Sequence, residues 1–182
     1  MSVIESDFVW ITLLEKRVEF CRNLALEIIA SKVEDGIDWG RNAAPPPEKS
    51  VYIETLGLCG EAAAMLYLSP INWITVRERK KFGLPDLECN GIKIDAKTRS
   101  RHDYDLVIQR NADRDWIYLL ATGSELHRIC LRAWCYGHEA MMRAPGTSAP
   151  VPGPNAYWIN QGDEILKPMR ELRILLHGRG AR

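Results

Sequence analysis

The sequence predicts an α/β (α+β) fold in which a central mixed β-sheet of about five strands is flanked by helices. Two long helical patterns, over residues 5–33 and 51–68, precede a run of strand-like segments between residues 86 and 135. With 182 residues, 46% of them hydrophobic, the chain can bury a full core. One domain over residues 1–182 is therefore expected.

The N-terminal helix is predicted over residues 5–33, where apolar residues recur at steps of three and four. A loop is predicted over 34–49, since the run Pro45-Pro46-Pro47 cannot continue a helix. Ser50 is the expected N-cap of the second helix, which ends before Pro70. Small residues on this helix would let it approach a sheet or another helix closely.

An antiparallel meander is predicted next, and residues 50–135 are expected to form the part of the domain that carries a site. The expected strands are residues 86–89, 92–98, 104–110, 116–122 and 126–135. A short helix over 137–142 and a flexible loop over 143–155, rich in Pro, Gly and Ser, follow. The C-terminal segment 156–177 begins with the strand-like YWIN, and its apolar residues are expected to cover an edge. These residues are Leu166, Met169, Leu172 and Leu175.

Charge and composition exclude several classes of protein. Basic and acidic residues number 24 each, so the net charge is zero and any polyanion must bind a local patch. The N-terminus has no basic-then-apolar signal, and no apolar run approaches the roughly 20 residues needed to cross a bilayer. The sequence therefore predicts a soluble, cytoplasmic protein with no membrane partner.

The cysteines and histidines do not form a recognisable metal or disulfide pattern. The five cysteines are odd in number and widely spaced, and no CxxC pair occurs, which predicts reduced, buried thiols. The four histidines show neither HxH nor HExxH spacing, so a zinc site is not predicted. A Walker A glycine loop and a GxSxG motif are also missing from the sequence.

The segment PDLECNGIKIDAKT, residues 85–98, is the most informative part of the chain. In a strand, Asp95 and Lys97 would project from one face while Ile94 and Ala96 lie on the other. The Asn90-Gly91 dipeptide would form a hairpin turn and bring Asp86 back beside them. Glu88 has the same parity as Asp86, and the spacing alone does not decide between the two acids.

Glu61 lies on the apolar side of the second helix, with Gly57, Leu58, Ala64 and Met65 as its neighbours three and four residues away. A carboxylate that points inward is costly unless it meets a cation, a metal or several donors. The alternatives are an ion pair with an arginine at the edge of the core, or a rotated helix that exposes Glu61.

Together these residues resemble the PD-(D/E)XK nuclease superfamily, which has the restriction-endonuclease-like fold. The resemblance is carried by Glu61 on a preceding helix, Pro85-Asp86, Asp95-Ala96-Lys97 and Gln109 on the following strand. Over about residues 50–175 the order also resembles small phage and prophage members. It does so in the helix motif GLCGEAA, the segment AWCYGHEA and the tail motif ILKPMREL.

The resemblance implies a magnesium site, with Mn²⁺ able to substitute. Asp86 and Asp95 would be the principal ligands, joined by the Ala96 carbonyl, and Glu61 would bind a second metal or an ordered water. Lys97 would position or activate the attacking water and stabilise charge at the phosphate. Gln109 would hold a water or a phosphate oxygen, and a plain surface glutamine is the alternative.

The implied function is a Mg²⁺-dependent nuclease that hydrolyses phosphodiester bonds, in DNA above all, in a bacterial or phage-infected cell. The alternative is an inactive nucleic-acid-binding or regulatory protein with the same fold. A third is an interaction module that forms a homo-oligomer or binds a protein through the N-terminal helix. DNA contacts are expected from basic residues around the hairpin, which could instead form a solvated rim. These are Arg77, Arg79, Lys80, Lys81, Arg99 and Arg101, with Trp39 and Trp73 as stacking candidates.

Overall fold

The structure is a computed structural model that describes residues 8–34, 47–68, 84–143 and 156–178. Its strands are β1 (Val9–Thr12), β2 (Leu87–Cys89), β3 (Ile92–Arg99), β4 (Leu106–Gln109), β5 (Ile117–Glu125), β6 (Arg128–Tyr136) and β7 (Ala156–Ile159). Its helices are α1 (Glu15–Glu34), α2 (Pro47–Leu68), α3 (Gly137–Met141) and α4 (Met169–His177). Several sequence predictions lie outside the described residues: most of the loops at 34–49 and 143–155, the basic segment Arg77 to Lys81, Trp39 and Trp73.

A five-stranded mixed sheet in the order β1-β6-β5-β3-β2 forms the centre of the fold. Strands β3 and β5 are parallel, and the other neighbours in this sheet are antiparallel. Strands β4 and β7 form a separate antiparallel pair. The predicted fold class, a mixed sheet of five strands flanked by helices, is confirmed.

The predicted antiparallel meander is wrong in two respects. The segment 104–110 does not continue the sheet beside β3, and β1 supplies the fifth strand instead. Parallel neighbours need a crossover connection, and residues 100–116 provide it between β3 and β5. Within that connection β4 buries Leu106 and Ile108 against the sheet, so its apolar side chains fill a second core rather than the first.

Each face of the central sheet is covered by a different layer. Helices α1, α2 and α4 bury the first face, in a core that includes Leu24, Ala62, Ile94, Leu119 and Met169. The β4–β7 pair and α3 cover part of the second face, around Tyr118, Leu120 and Cys135. Strand β5 is therefore buried from Ile117 to Gly123, which explains its nearly unbroken apolar sequence.

The N-terminal helix begins later than predicted. Residues 9–12 form β1, which pairs with β6, and α1 begins at Glu15. The alternation of exposed Trp10 with the packed Val9 and Ile11 is the period of two that a strand requires. From Glu15 onward the helical prediction is confirmed, and Val18, Cys21, Leu24 and Ala25 face the core, whereas Phe20 and Leu26 are exposed.

Helix α2 begins at Pro47 rather than after Ser50, which lies buried within the helix and is not its N-cap. Proline suits the first helical position because the missing N–H has no partner there.

The segment Glu48–Leu68 of α2 has 21 residues and a mean hydropathy of 1.3, so by length and composition it could cross a membrane. The sequence prediction found no apolar run of this kind. Helix α2 packs on α1 and on the central sheet, and 56% of its most apolar window is buried, as in a core helix.

The remaining elements follow the predictions more closely. The short helix α3 and strand β7 lie where they were expected. Helix α4 buries Met169, Leu172 and Leu176, whereas Leu175 is exposed. All five cysteines are free and buried, which confirms the prediction of reduced thiols.

Candidate active site

The predicted hairpin is present and places Asp86 beside β3. Asn90 and Gly91 both adopt positive φ, at 52° and 77°, as a tight two-residue hairpin turn requires. The strands pair from Cys89 with Ile92 to Leu87 with Ile94. Asp86 thus lies one residue beyond the last backbone pair, at the point where the two strands separate.

At this point the side chain of Asp86, instead of a backbone carbonyl, accepts the next hydrogen bond from β3. Asp86 Oδ2 accepts a hydrogen bond from the Ala96 N–H at 2.9 Å. In a strand the N–H and C=O of one residue point to the same neighbour, so the Ala96 carbonyl also lies on the side of Asp86. Two of the predicted metal ligands, the Asp86 carboxylate and the Ala96 carbonyl, therefore lie at the same edge of β3.

Asp95 and Lys97 complete this group. They lie on the same face of β3, and Lys97 Nζ is 2.7 Å from Asp95 Oδ2. The Asp95 side chain is 15% exposed and that of Lys97 is 35% exposed, so the ion pair is partly open to solvent. The structure brings Asp86, Asp95 and Lys97 together, as the hairpin parity predicts.

The neighbouring Asp95 affects the protonation of Asp86. Burial raises the pKa of Asp86 to about 7, and the charge of Asp95 and a hydrogen bond with it act in the same direction. The Lys97 ammonium and the Ala96 N–H oppose this rise in pKa. A cation bound at this point would stabilise the ionised form of Asp86.

Glu61 is buried, at 9% exposure, which confirms that it points inward. Helix α2 reaches β3 closely because Gly60 has no side chain: a Cβ there would lie 1.8 Å from Thr98 Oγ1. Thr98 Oγ1 also donates a hydrogen bond to the Gly57 carbonyl at 3.4 Å. Thr98 is on the opposite face of β3 from Lys97, so α2 approaches from behind the acidic pair.

The structure does not join Glu61 to the two aspartates in one ligand cluster. Within the described residues no group of three or more His, Cys, Asp or Glu side chains is arranged to hold a metal ion. The structure thus assembles two of the three expected acidic ligands.

Gln109 and Glu88 are both separate from the group. Gln109 is exposed at the end of β4, opposite Ala156 of β7, and in the described part of the chain its side chain makes no hydrogen bond with the aspartates or Lys97. The prediction placed it on the strand beside β3, a position that β5 occupies. Glu88 is exposed opposite Lys93, so Asp86, directly before β2, is the acid of this hairpin that reaches Asp95.

The residues present fit a magnesium ion held by oxygen ligands. Carboxylate and backbone carbonyl oxygens are the donors that Mg²⁺ takes from proteins, usually one or two carboxylates with several waters. Asp86 and Asp95 supply two carboxylates, and a cation would offset the burial and the neighbouring negative charge that raise the pKa of Asp86. By strand geometry, the Ala96 carbonyl points to the same side as the Ala96 N–H that binds Asp86.

No protein-family model, curated protein or solved structure matches this chain. The fold and the site by themselves define the class: an α/β protein whose mixed five-stranded sheet carries two coupled aspartates and a lysine where a hairpin opens.

Proposed function

We propose that the protein is a Mg²⁺-dependent nuclease that hydrolyses phosphodiester bonds in DNA, with the active-site plan of the PD-(D/E)XK superfamily. The observation that carries the proposal is the meeting of Asp86, Asp95 and Lys97 at the end of β2. Two acids and an amine at one partly exposed point match what phosphodiester hydrolysis requires.

In this mechanism Asp86 and Asp95 would hold the metal together with the Ala96 carbonyl. When bound, Mg²⁺ supplies positive charge for the phosphoryl oxygens and makes a water more acidic. The water oxygen forms a bond to phosphorus while the bond to the leaving oxygen breaks. The attacking water gives up a proton to solvent, and the leaving oxygen takes up a proton from solvent.

Lys97 acts on the phosphate rather than on the metal. Its ammonium is held by Asp95 at 2.7 Å and remains about a third exposed, so it can donate a hydrogen bond to a phosphoryl oxygen. A donor placed where negative charge develops stabilises the transition state more than the ground state. We therefore assign Lys97 to charge stabilisation and to positioning the attacking water.

A second candidate is a DNA-binding or regulatory protein that does not cleave. It is favoured by one observation, that the described residues contain no cluster of three metal-ligating side chains. In that case the Lys97–Asp95 ion pair and the Asp86–Ala96 hydrogen bond would serve only to close the open end of the hairpin.

The test is cleavage of linear duplex, circular duplex and single-stranded DNA with Mg²⁺ or Mn²⁺, and with EDTA as the metal-free control. We expect cleavage by the wild type and a loss of at least about 100-fold in Asp95→Asn and Lys97→Met. Glu88→Gln is the matched control, since this exposed acid is on the same hairpin. Binding without cleavage would favour the second candidate, and equal cleavage by Asp95→Asn would reject the site.

A further inference from the structure

A row of paired residues leads away from the candidate site across the second face of the sheet. Arg99 of β3 pairs with Thr122 of β5, Thr122 with Cys130 of β6, and Cys130 with Trp10 of β1. Arg99 follows Lys97 by two residues on the same face, a step of about 7 Å along a strand. Three strand spacings then separate Arg99 from Trp10, which is roughly 14 Å.

Arginines and aromatic rings alternate on this part of the face. We call it the arginine–aromatic surface, made of Phe8, Trp10, Arg99, Tyr104, Arg128 and Arg132. The guanidinium carbon lies 3.7 Å from the ring centre for Arg132 over Phe8, 4.6 Å for Arg128 over Trp10 and 5.2 Å for Arg99 over Tyr104. The rings are partly open to solvent, with Phe8 41%, Trp10 47% and Tyr104 36% exposed.

Trp10 is held in place by a second contact. The His102 ring meets it edge-on at a centroid distance of 5.2 Å. His102 Nδ1 is in turn hydrogen-bonded to Thr122 Oγ1 at 2.8 Å. Because the ring is fixed before any ligand binds, little side-chain entropy would be lost on contact.

Mutual packing of arginines and rings is common on protein surfaces, but two arginines of this surface, Arg128 and Arg132, pair with no acid among the described residues. Arg101 also lies over Tyr104, at 5.1 Å from the ring centre, but it binds the Asp103 carboxylate at 2.6 Å. Arg143, outside the surface, binds Asp163 at 2.8 Å. Within the described residues, no carboxylate pairs with Arg128 or with Arg132, which donates to the neutral Gln161 amide at 2.7 Å. The N–H groups of these guanidiniums that make no such hydrogen bond can donate to phosphate oxygens.

We propose that this surface binds single-stranded DNA and leads it to the acidic site. The arginines would contact phosphates, and bases would stack on the rings and guanidinium planes. Bases in a duplex are already stacked on one another, so exposed rings favour an unpaired strand. The choice of DNA rests on the proposed function. Binding at this surface does not require cleavage, so experiments can reject the binding surface and the nuclease activity independently of each other.

The experiment is fluorescence anisotropy of a labelled oligothymidylate in EDTA, beside a duplex of equal length and an oligouridylate. We expect the single-stranded DNA to bind tightest. Trp10→Ala should weaken its binding about tenfold without changing the salt dependence, because stacking releases no counterions. Arg128→Gln should reduce the slope of log affinity against log salt by about 0.7, the value for one phosphate contact on a single strand.

The matched control is Arg173→Gln, since Arg173 also lies over a ring, 5.4 Å from the centre of Tyr67, but belongs to α4 on the other face of the sheet. It should bind as the wild type does. Trp10→Phe keeps a ring and should recover most of the affinity that Trp10→Ala loses. Thermal melts of every variant report whether the fold is retained.

Several outcomes would overturn the inference: no binding of single-stranded DNA, equal or tighter binding of duplex or oligouridylate, or wild-type affinity in both Trp10→Ala and Arg128→Gln. Cleavage that depends on Lys97 together with normal binding by the surface variants would reject the surface and keep the nuclease. Loss of binding in the surface variants of a protein that cuts nothing would support the surface and reject the nuclease.

Discussion

The Asp86 carboxylate accepts the backbone N–H of Ala96 at 2.9 Å, one residue beyond the last backbone pair between β2 and β3. The same carboxylate shares a hydrogen bond with Asp95 and is repelled by its charge, and both effects raise the pKa of Asp86. Asp86 therefore has two roles: its carboxylate accepts a hydrogen bond at the edge of β3, and its charge acts on Asp95. An asparagine would keep the oxygen acceptor and remove the charge, so the two roles can be separated.

We expect the stability of the metal-free protein to depend on the charge of Asp86. Its pKa is raised from 3.8 to about 7, so between these values the folded state holds a proton that the unfolded state has lost. The free energy of unfolding that this retained proton contributes is fully present below pH 3.8. It is lost as the pH rises to about 7. In EDTA, the melting temperature of Asp86→Asn minus that of the wild type should therefore be larger at pH 8 than at pH 4.5, two conditions chosen for this comparison.

Glu88→Gln is the control for this measurement, because Glu88 is exposed on the same strand. Its pH profile should run parallel to that of the wild type. A profile of Asp86→Asn that also runs parallel would show that the carboxylate titrates alike in the folded and unfolded states.

Lys97 should matter for cleavage and little for stability. Its ion pair with Asp95 is partly exposed, and such pairs contribute about 0–1 kcal/mol. We expect Lys97→Met to lower the cleavage rate by at least about 100-fold while urea unfolding changes by less than about 1 kcal/mol. Lys97→Arg keeps the charge and should retain more activity than Lys97→Met. A large loss of stability with unchanged cleavage would assign Lys97 to the fold.

Glu61→Gln tests whether the buried carboxylate of α2 serves the metal. The substitution keeps the shape and removes the charge of a side chain that is 9% exposed. In the proposed nuclease we expect a weaker rise of melting temperature with Mg²⁺ and cleavage reduced about tenfold. If Mg²⁺ stabilises the variant as much as the wild type and only the free energy of unfolding falls, the role of Glu61 is structural.

The close approach of α2 to β3 predicts opposite effects for two glycines of one helix. A Cβ at Gly60 would lie 1.8 Å from Thr98 Oγ1, whereas one at Gly57 would meet nothing within 4 Å. We expect Gly60→Ala to destabilise by about 1–3 kcal/mol through overpacking. Gly57→Ala should stabilise by about 0.5–1 kcal/mol, because alanine favours the helix. Urea unfolding measures both, and adding Thr98→Ala to Gly60→Ala should recover part of the loss.

The thiols should be unreactive in the native protein. All five cysteines are buried and free, and burial raises the pKa of Cys135 to about 12. Since the thiolate is the reactive form, we expect almost no reaction with a thiol reagent under native conditions and five equivalents in denaturant. Rapid native reaction would show that the core opens locally.

Local patterns in the sequence were sufficient to predict the hairpin and its acids. Asn90-Gly91 specifies a turn because its positive φ angles suit these two residues, and a period of two then places Asp95 and Lys97 on one face. The inward position of Glu61 followed in the same way from the period of α2. Each inference needed only neighbours along the chain.

Strand order was not predictable in this way. The pattern of β4 looks like a sheet strand, yet β4 pairs with β7 and leaves Gln109 outside the group. The first residues of the supposed helix form β1 because β6 offers an edge there. Such choices depend on which surfaces the other elements leave uncovered, and the period of one segment contains no information about that.

The sequence by itself determined the hairpin, the face of each acid and the buried free thiols, because turn chemistry and side-chain period act over a few residues. Only the tertiary structure decided that Asp86 rather than Glu88 meets Asp95, since the end of the β2–β3 pairing selects it. It also placed Arg99 and Trp10 in one row across the sheet, although the two residues are far apart in the sequence. Pairing between distant strands creates these neighbours, and it is specified by the packing of the whole core.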